Sequence, residues 1–93
     1  MNSKDPYDRE RYNHPAKIYV GVTALFHPDG RLEPQSFTWE DGRVFQIDSV
    51  TDVRRAASLR AGGCGIRYTC KVCGKQVCLY LEEDRWFMER KES

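Results

Sequence analysis

Cys64, Cys70, Cys73 and Cys78 are spaced C-x5-C-x2-C-x4-C, and thiolates are regular ligands of structural zinc. Only Cys70 and Cys73 form the C-x2-C pair that zinc modules repeat. No second such pair follows, and His14 and His27 are remote in the chain. The same residues also spell a β-hairpin. In "YTCKVCGKQVCLY", Tyr68 to Tyr80, side chains alternate about a Gly74-Lys75 turn, with glycine first as type II′ geometry asks. That turn pairs Cys70 with Leu79 and Val72 with Val77. It gathers Tyr68, Cys70, Val72, Val77, Leu79 and Leu81 on one uncharged face, and Thr69, Lys71, Cys73, Gln76, Cys78 and Tyr80 on the other. A one-residue slip would reverse every side chain, so this sorting favours the hairpin. In one extended strand Cys70 and Cys73 stand about 10 Å apart and point opposite ways, which tetrahedral zinc does not accept. The expectation is cysteines packed as small apolar residues, without a cofactor. The alternative is a zinc-stabilised module with Cys64, Cys70, Cys73 and Cys78 as ligands.

Nucleophilic chemistry has less support. Cys64 in "GGCG" lies near arginines, and positive charge lowers a thiol pKa, but no base stands beside it in a recognisable arrangement. The glycines of "AGGCGIR" match neither GxxxxGK[ST] nor GxGxxG and are read as a tight turn. The expectation is a non-enzymatic protein with no catalytic residue.

The net charge is +1, too little for a global field. Its distribution is uneven: Gly42 to Gln76 carries +5, whereas Lys17 to Asp41 and Val77 to Ser93 carry −2 each. Arg54, Arg55, Arg60, Arg67, Lys71 and Lys75 form a basic set, and Tyr80 shares the hairpin face of Lys71 and Thr69. Phosphate contacts supply affinity and ring stacking tolerates any base. The expected partner is therefore nucleic acid, with the six cations on phosphates and Tyr80 under a base. Trp39, Trp86, Phe37, Phe45 and Phe87 are read as core.

These residues need elements to carry them. Residues 1–16 are polar and aperiodic and read as a flexible arm, and residues 17–91 as a single β domain. "KIYVGVTALF" alternates with Ile18, Val20, Val22, Ala24 and Phe26 on one face. "HPDG" marks a type I turn with a following bulge. In "RLEPQSFTW", Pro34 has no amide to donate and implies an edge or a bulge. A two-residue turn at Asp41-Gly42 would pair Trp39 with Val44 and put Phe45 and Ile47 opposite Trp39, so a bulge or longer loop is expected there. After the strand "RVFQIDSV", Thr51 or Asp52 is expected to cap a short helical turn or loop around residues 52–62, ended by Gly62-Gly63. "IRYTCKVC", "QVCLYLEE" and "RWFMERK" complete the pattern. The fold expected is all-β: an antiparallel meander of five to six strands, closed as an SH3-like barrel or rolled sheet. No apolar run approaches the roughly 18 residues of a membrane span, and "MNSKDPYDRERYNHP" has no apolar h-region. A cytoplasmic protein with reduced thiols and no membrane partner is expected.

The run "FTWEDGRVFQIDSV", followed by "GIRYTCKVCGKQVCLYLEEDRWFMERK", resembles small bacterial all-β domains of unknown function. Their pattern is an aromatic-x-Trp strand, a Gly-Arg turn, a second strand, a loop and a closing Tyr/Trp-rich sheet. More distantly it is similar to the uncharacterised domain associated with some actinobacterial DNA-polymerase-related proteins. The likeness covers Phe37 to Lys91. It implies an architecture and an association with nucleic acid, and nothing catalytic. It also implies apolar or polar residues where Cys70, Cys73 and Cys78 stand, and so no shared metal site. The alternative partner is another protein, bound at an exposed sheet edge near Pro34.

Overall fold

Alternating apolar and polar residues, broken by Gly, Pro and Asp, become seven strands in the computed structural model, which describes residues 15–57 and 65–90. They are β1 (Lys17–Phe26), β2 (Leu32–Thr38), β3 (Val44–Gln46), β4 (Ser49–Arg55), β5 (Ile66–Val72), β6 (Lys75–Glu82) and β7 (Arg85–Glu89). Among the described residues there is no helix, hence none long and apolar enough to cross a membrane.

All neighbours pair antiparallel in the order β3-β2-β1-β7-β6-β5-β4. This is a meander whose last strand returns to its first. The ends of the sheet, β3 and β4, are consecutive in the chain. Between them the Ile47 amide donates to the Gln35 carbonyl of β2, and the Asp48 amide donates to the Lys71 carbonyl of β5. One bend of the chain thus bridges both ends of the curled sheet. The result is the expected all-β, barrel-like architecture with seven strands, because "RVFQIDSV" serves two partners and divides at Ile47-Asp48.

Apolar side chains of one parity line the inside. Ile18 and Val20 of β1, Phe37 of β2, Tyr68, Cys70 and Val72 of β5, and Leu79 of β6 form the buried cluster. Phe37 stacks on Phe45 with centroids 5.4 Å apart, and Tyr68 packs against Trp86 at 5.1 Å. The turn after Trp39 has three residues: the Gly42 amide donates to the Trp39 carbonyl and the Trp39 amide to Arg43. Gly42 adopts φ +92°, a left-handed conformation open to glycine. The extra residue places Phe37 opposite Phe45, as the apolar faces required. Beside Pro34, Gln35 is the bulge residue: Thr23 pairs with Ser36 and Ala24 with Pro34.

Two expectations are corrected. The 52–62 segment begins as strand, since Asp52 to Arg55 belong to β4 and pair with β5. Thr51, rather than capping a helix, is the unpaired residue of a bulge, with its hydroxyl donating to the Thr69 carbonyl at 3.2 Å. Residues 58–64 lie outside the described residues. The second correction is the β5–β6 register. The turn is Cys73-Gly74, with φ +52° and +77°, a type I′ pattern, and Cys70 faces Val77 instead of Leu79. The expected turn would have set Ile66 against Glu83 of the next turn. The observed one sets it against Leu81, which β7 extends through Trp86. A two-residue displacement keeps every side chain on its face, so the predicted apolar set still points inward.

Candidate functional site

Alternation on β4, β5 and β6 divides the predicted basic residues between two faces. Arg54 and Arg67 are cross-strand partners, and with Lys71 they have the parity of the outer face. Arg55 and Lys75, paired with Ile66 and Val72, have the parity of the inner face and stand at opposite ends of the β5 ladder. Arg54 is forked onto Asp52 at 2.8 and 3.3 Å. Among the described residues, Arg55, Lys71 and Lys75 are exposed and form no ion pair. Arg60 lies outside the described residues. The five described cations therefore do not form one patch.

Tyr80 is corrected as a stacking platform. It is 3% exposed, and its ring lies parallel to Phe87, 5.1 Å away. A base cannot reach a face already covered. Burial raises the pKa of its phenol, with smaller help from Glu89 and Cys78, while the Arg67 guanidinium, hydrogen-bonded to it, opposes the shift. Arg67 is thus partly committed to Tyr80 on the outer face, with its Nε withdrawn from solvent.

The cysteines diverge. Cys70 is fully buried in the inner cluster, Cys73 is exposed in the turn, and Cys78 pairs with Thr69 on the outer face. Cys64 lies outside the described residues. Among the described residues no three His, Cys, Asp or Glu side chains gather as metal ligands. Desolvation, aided by Cys78, lifts the Cys70 thiol from 9.0 to about 11, which keeps it neutral.

A groove opens instead where the β2–β3 turn meets the β5–β6 turn. Its volume is about 290 Å³, and Phe37, Trp39, Phe45, Val72, Val77 and Met88 form its walls. Arg43, Cys73 and Lys75 line its border. The groove exists because the β6–β7 ladder ends at Tyr80–Phe87. From Lys75 to Leu79, β6 pairs with β5 alone, and the splayed strands leave Val77 and Met88 uncovered. A second depression of about 400 Å³ continues along this gap past Val77 and Met88 to Glu89 and Arg90. Arg43 is salt-bridged to Asp41 at 2.8 Å, yet its side chain is 71% exposed, and its guanidinium lies 5.4 Å from the Phe45 ring centroid.

Trp39 and Phe45, read as core, are half-buried walls of this groove, and Arg43 was absent from the predicted basic set. The available signal was Arg43 directly after the Gly42 turn. Its position beside Lys75 needed the tertiary fold.

No family model, curated protein or solved structure matches the chain.

Proposed function

We propose that the protein is a small non-enzymatic module that binds single-stranded nucleic acid in the groove between the β2–β3 and β5–β6 turns. One observation carries this reading: the half-buried aromatic walls Trp39 and Phe45 are bordered by two exposed cations, Arg43 and Lys75. An unpaired base offers an apolar ring for such walls. Its flanking phosphates offer charge to the border. A duplex hides its rings and does not fit. The partner class is the one expected from the basic middle of the chain, but the site moves from Tyr80 and the β4 arginines to the turn groove.

Fluorescence anisotropy with a short labelled oligothymidylate, titrated at increasing salt, tests the proposal. Two phosphate contacts predict log affinity falling against log salt with a slope of about −1.4, and a duplex of the same length competing poorly. Absence of saturable binding at low salt, or binding indifferent to salt, removes the reading.

A further inference from the structure

β1 changes partners along its length. Lys17–Val20 pairs with β7 and Gly21–Phe26 with β2. The hydrogen-bond parity is set by the His27 amide, which donates to Arg31, and by the Arg90 amide, which donates to Ala16. Odd-numbered β1 residues therefore turn their backbone groups to β2, and even-numbered ones turn theirs to the β7 side. β7 begins at Arg85, next to the Trp86–Val20 pair. Beyond that point the N–H and C=O groups of Val22, Ala24 and Phe26 face a side on which no described strand lies. Thr23, Leu25 and Phe26 are exposed, Phe26 at 73%.

This edge lacks the usual defences. Gly21 to Phe26 contains no charge and no proline, whereas natural edges are commonly blunted by lysine, proline or a cover. The polar side chains at the hairpin tip have local partners: His27 Nε2 is 2.7 Å from Glu33 Oε1, and Arg31 Nε is 3.6 Å from Asp29 Oδ2. A partner with its own charges gains nothing there. An identical edge in antiparallel orientation matches it, since neither strand carries a charge from Gly21 to Phe26. The expected alternative edge near Pro34 is less available, because Pro34 is fully buried and β3 covers β2 from Ser36 onward.

We propose that two copies of the chain pair through β1, antiparallel about a two-fold axis at Ala24. Ala24 then faces its own counterpart, and Val22 faces Phe26 of the second copy on both sides of the axis. Each even-numbered pair exchanges two backbone hydrogen bonds. Phe26 lies beside the second copy's Val22, which partly covers the most exposed large apolar side chain of the described residues. Such an isologous contact closes at a dimer. It joins the two curled sheets edge to edge and leaves both turn grooves open.

Sedimentation equilibrium of the full chain across a wide concentration range tests this. The expected result is a reversible monomer–dimer equilibrium that Phe26→Lys weakens at least tenfold. Ala24→Pro removes an outward-facing amide without touching the β1–β2 ladder, and it weakens the dimer similarly. Val44→Lys, at an exposed apolar position of β3, leaves it unchanged. If Ala24→Pro loses the wild-type far-ultraviolet spectrum, Phe26→Lys decides alone. A wild-type chain that stays monomeric, a dimer that survives Phe26→Lys, or growth beyond the dimer overturns the proposal.

Discussion

The Lys17 ammonium lies 2.7 Å from Glu82 Oε1, and the two side chains are only 1% and 4% exposed. Lys17 belongs to β1 and Glu82 to β6. The strand between them, β7, contributes Phe87, whose ring centroid is 4.9 Å from the same ammonium. Tyr19 borders the pair on the outer face of the sheet, its hydroxyl 3.5 Å from Glu82 Oε1. The pair thus ties three strands together across a buried ring.

Removing Lys17 leaves the Glu82 carboxylate buried without its cation, against the Tyr19 hydroxyl at 3.5 Å. Lys17→Met is expected to destabilise by about 3–5 kcal/mol, whereas Lys17→Met with Glu82→Leu returns to within about 1 kcal/mol of wild type or exceeds it. Urea unfolding curves check both. A single substitution that loses less than about 1 kcal/mol contradicts the account.

Cys70 links stability to alkaline pH. Its thiol titrates at about 11 in the fold against 9.0 ordinarily, so between these values the folded chain holds a proton that the unfolded chain releases. Its contribution is complete below pH 9.0 and is lost as pH rises towards 11. Cys70→Val, which cannot ionise, should flatten this part of the stability profile. At neutral pH, alkylation mapped by mass spectrometry should label exposed Cys73 rapidly and Cys70 only on unfolding.

Cys73 occupies a left-handed conformation, φ +52°, followed by Gly74. Asparagine adopts that conformation more readily, and Asn-Gly suits a type I′ turn. Cys73→Asn is expected to stabilise by about 0.5–1 kcal/mol. A lower thermal midpoint than wild type would mean that the thiol makes a contact worth more than the relieved backbone.

Gly65 and Gly21 should respond oppositely to alanine. A Cβ at Gly65 would sit 2.8 Å from the Leu81 carbonyl oxygen, whereas one at Gly21 would meet nothing within 4 Å. Gly65→Ala forces β5 and β6 apart and is expected to destabilise by about 1–3 kcal/mol. Gly21→Ala is expected to be neutral or stabilising by up to about 1 kcal/mol. Thermal denaturation of the two variants separates these effects.

Within the proposed function, Lys75→Glu should weaken oligothymidylate binding at least about tenfold and lower the magnitude of the salt slope by about 0.7. Arg54→Glu should change affinity less than about twofold, since Arg54 has the parity of the outer face and does not line the groove. Equal losses from both would return the interface to the β4–β5 surface.

Local alternation determined most of the architecture. The strands from Lys17, Leu32, Ile66 and Arg85, the three-residue turn at Gly42 and the bulge beside Pro34 follow from period-two patterns and from residues with special backbone freedom. Those properties act over a few neighbours and are legible in order along the chain. The inward set Tyr68, Cys70, Val72, Val77, Leu79 and Leu81 was legible for the same reason, and it survived a register displaced by two positions because parity is all that it depends on.

Four features were decided by tertiary structure. The division of "RVFQIDSV" at Ile47-Asp48 arises because two distant strands, β2 and β5, claim its halves. Thr51 and Asp52 look like helix caps in isolation, but β5 pairs with Asp52 and accepts the hydroxyl of Thr51 at a bulge. Tyr80 alternates onto the polar face of its hairpin, yet Phe87 from the following strand covers it. The groove exists only because β6 and β7 part beyond Tyr80–Phe87, which brings Arg43 and Lys75 to one border. Each outcome depends on which backbone groups and rings meet across long sequence separations. Alternation along one strand says which face a side chain takes, while the strands packed beside that face decide whether it is buried or open to a ligand.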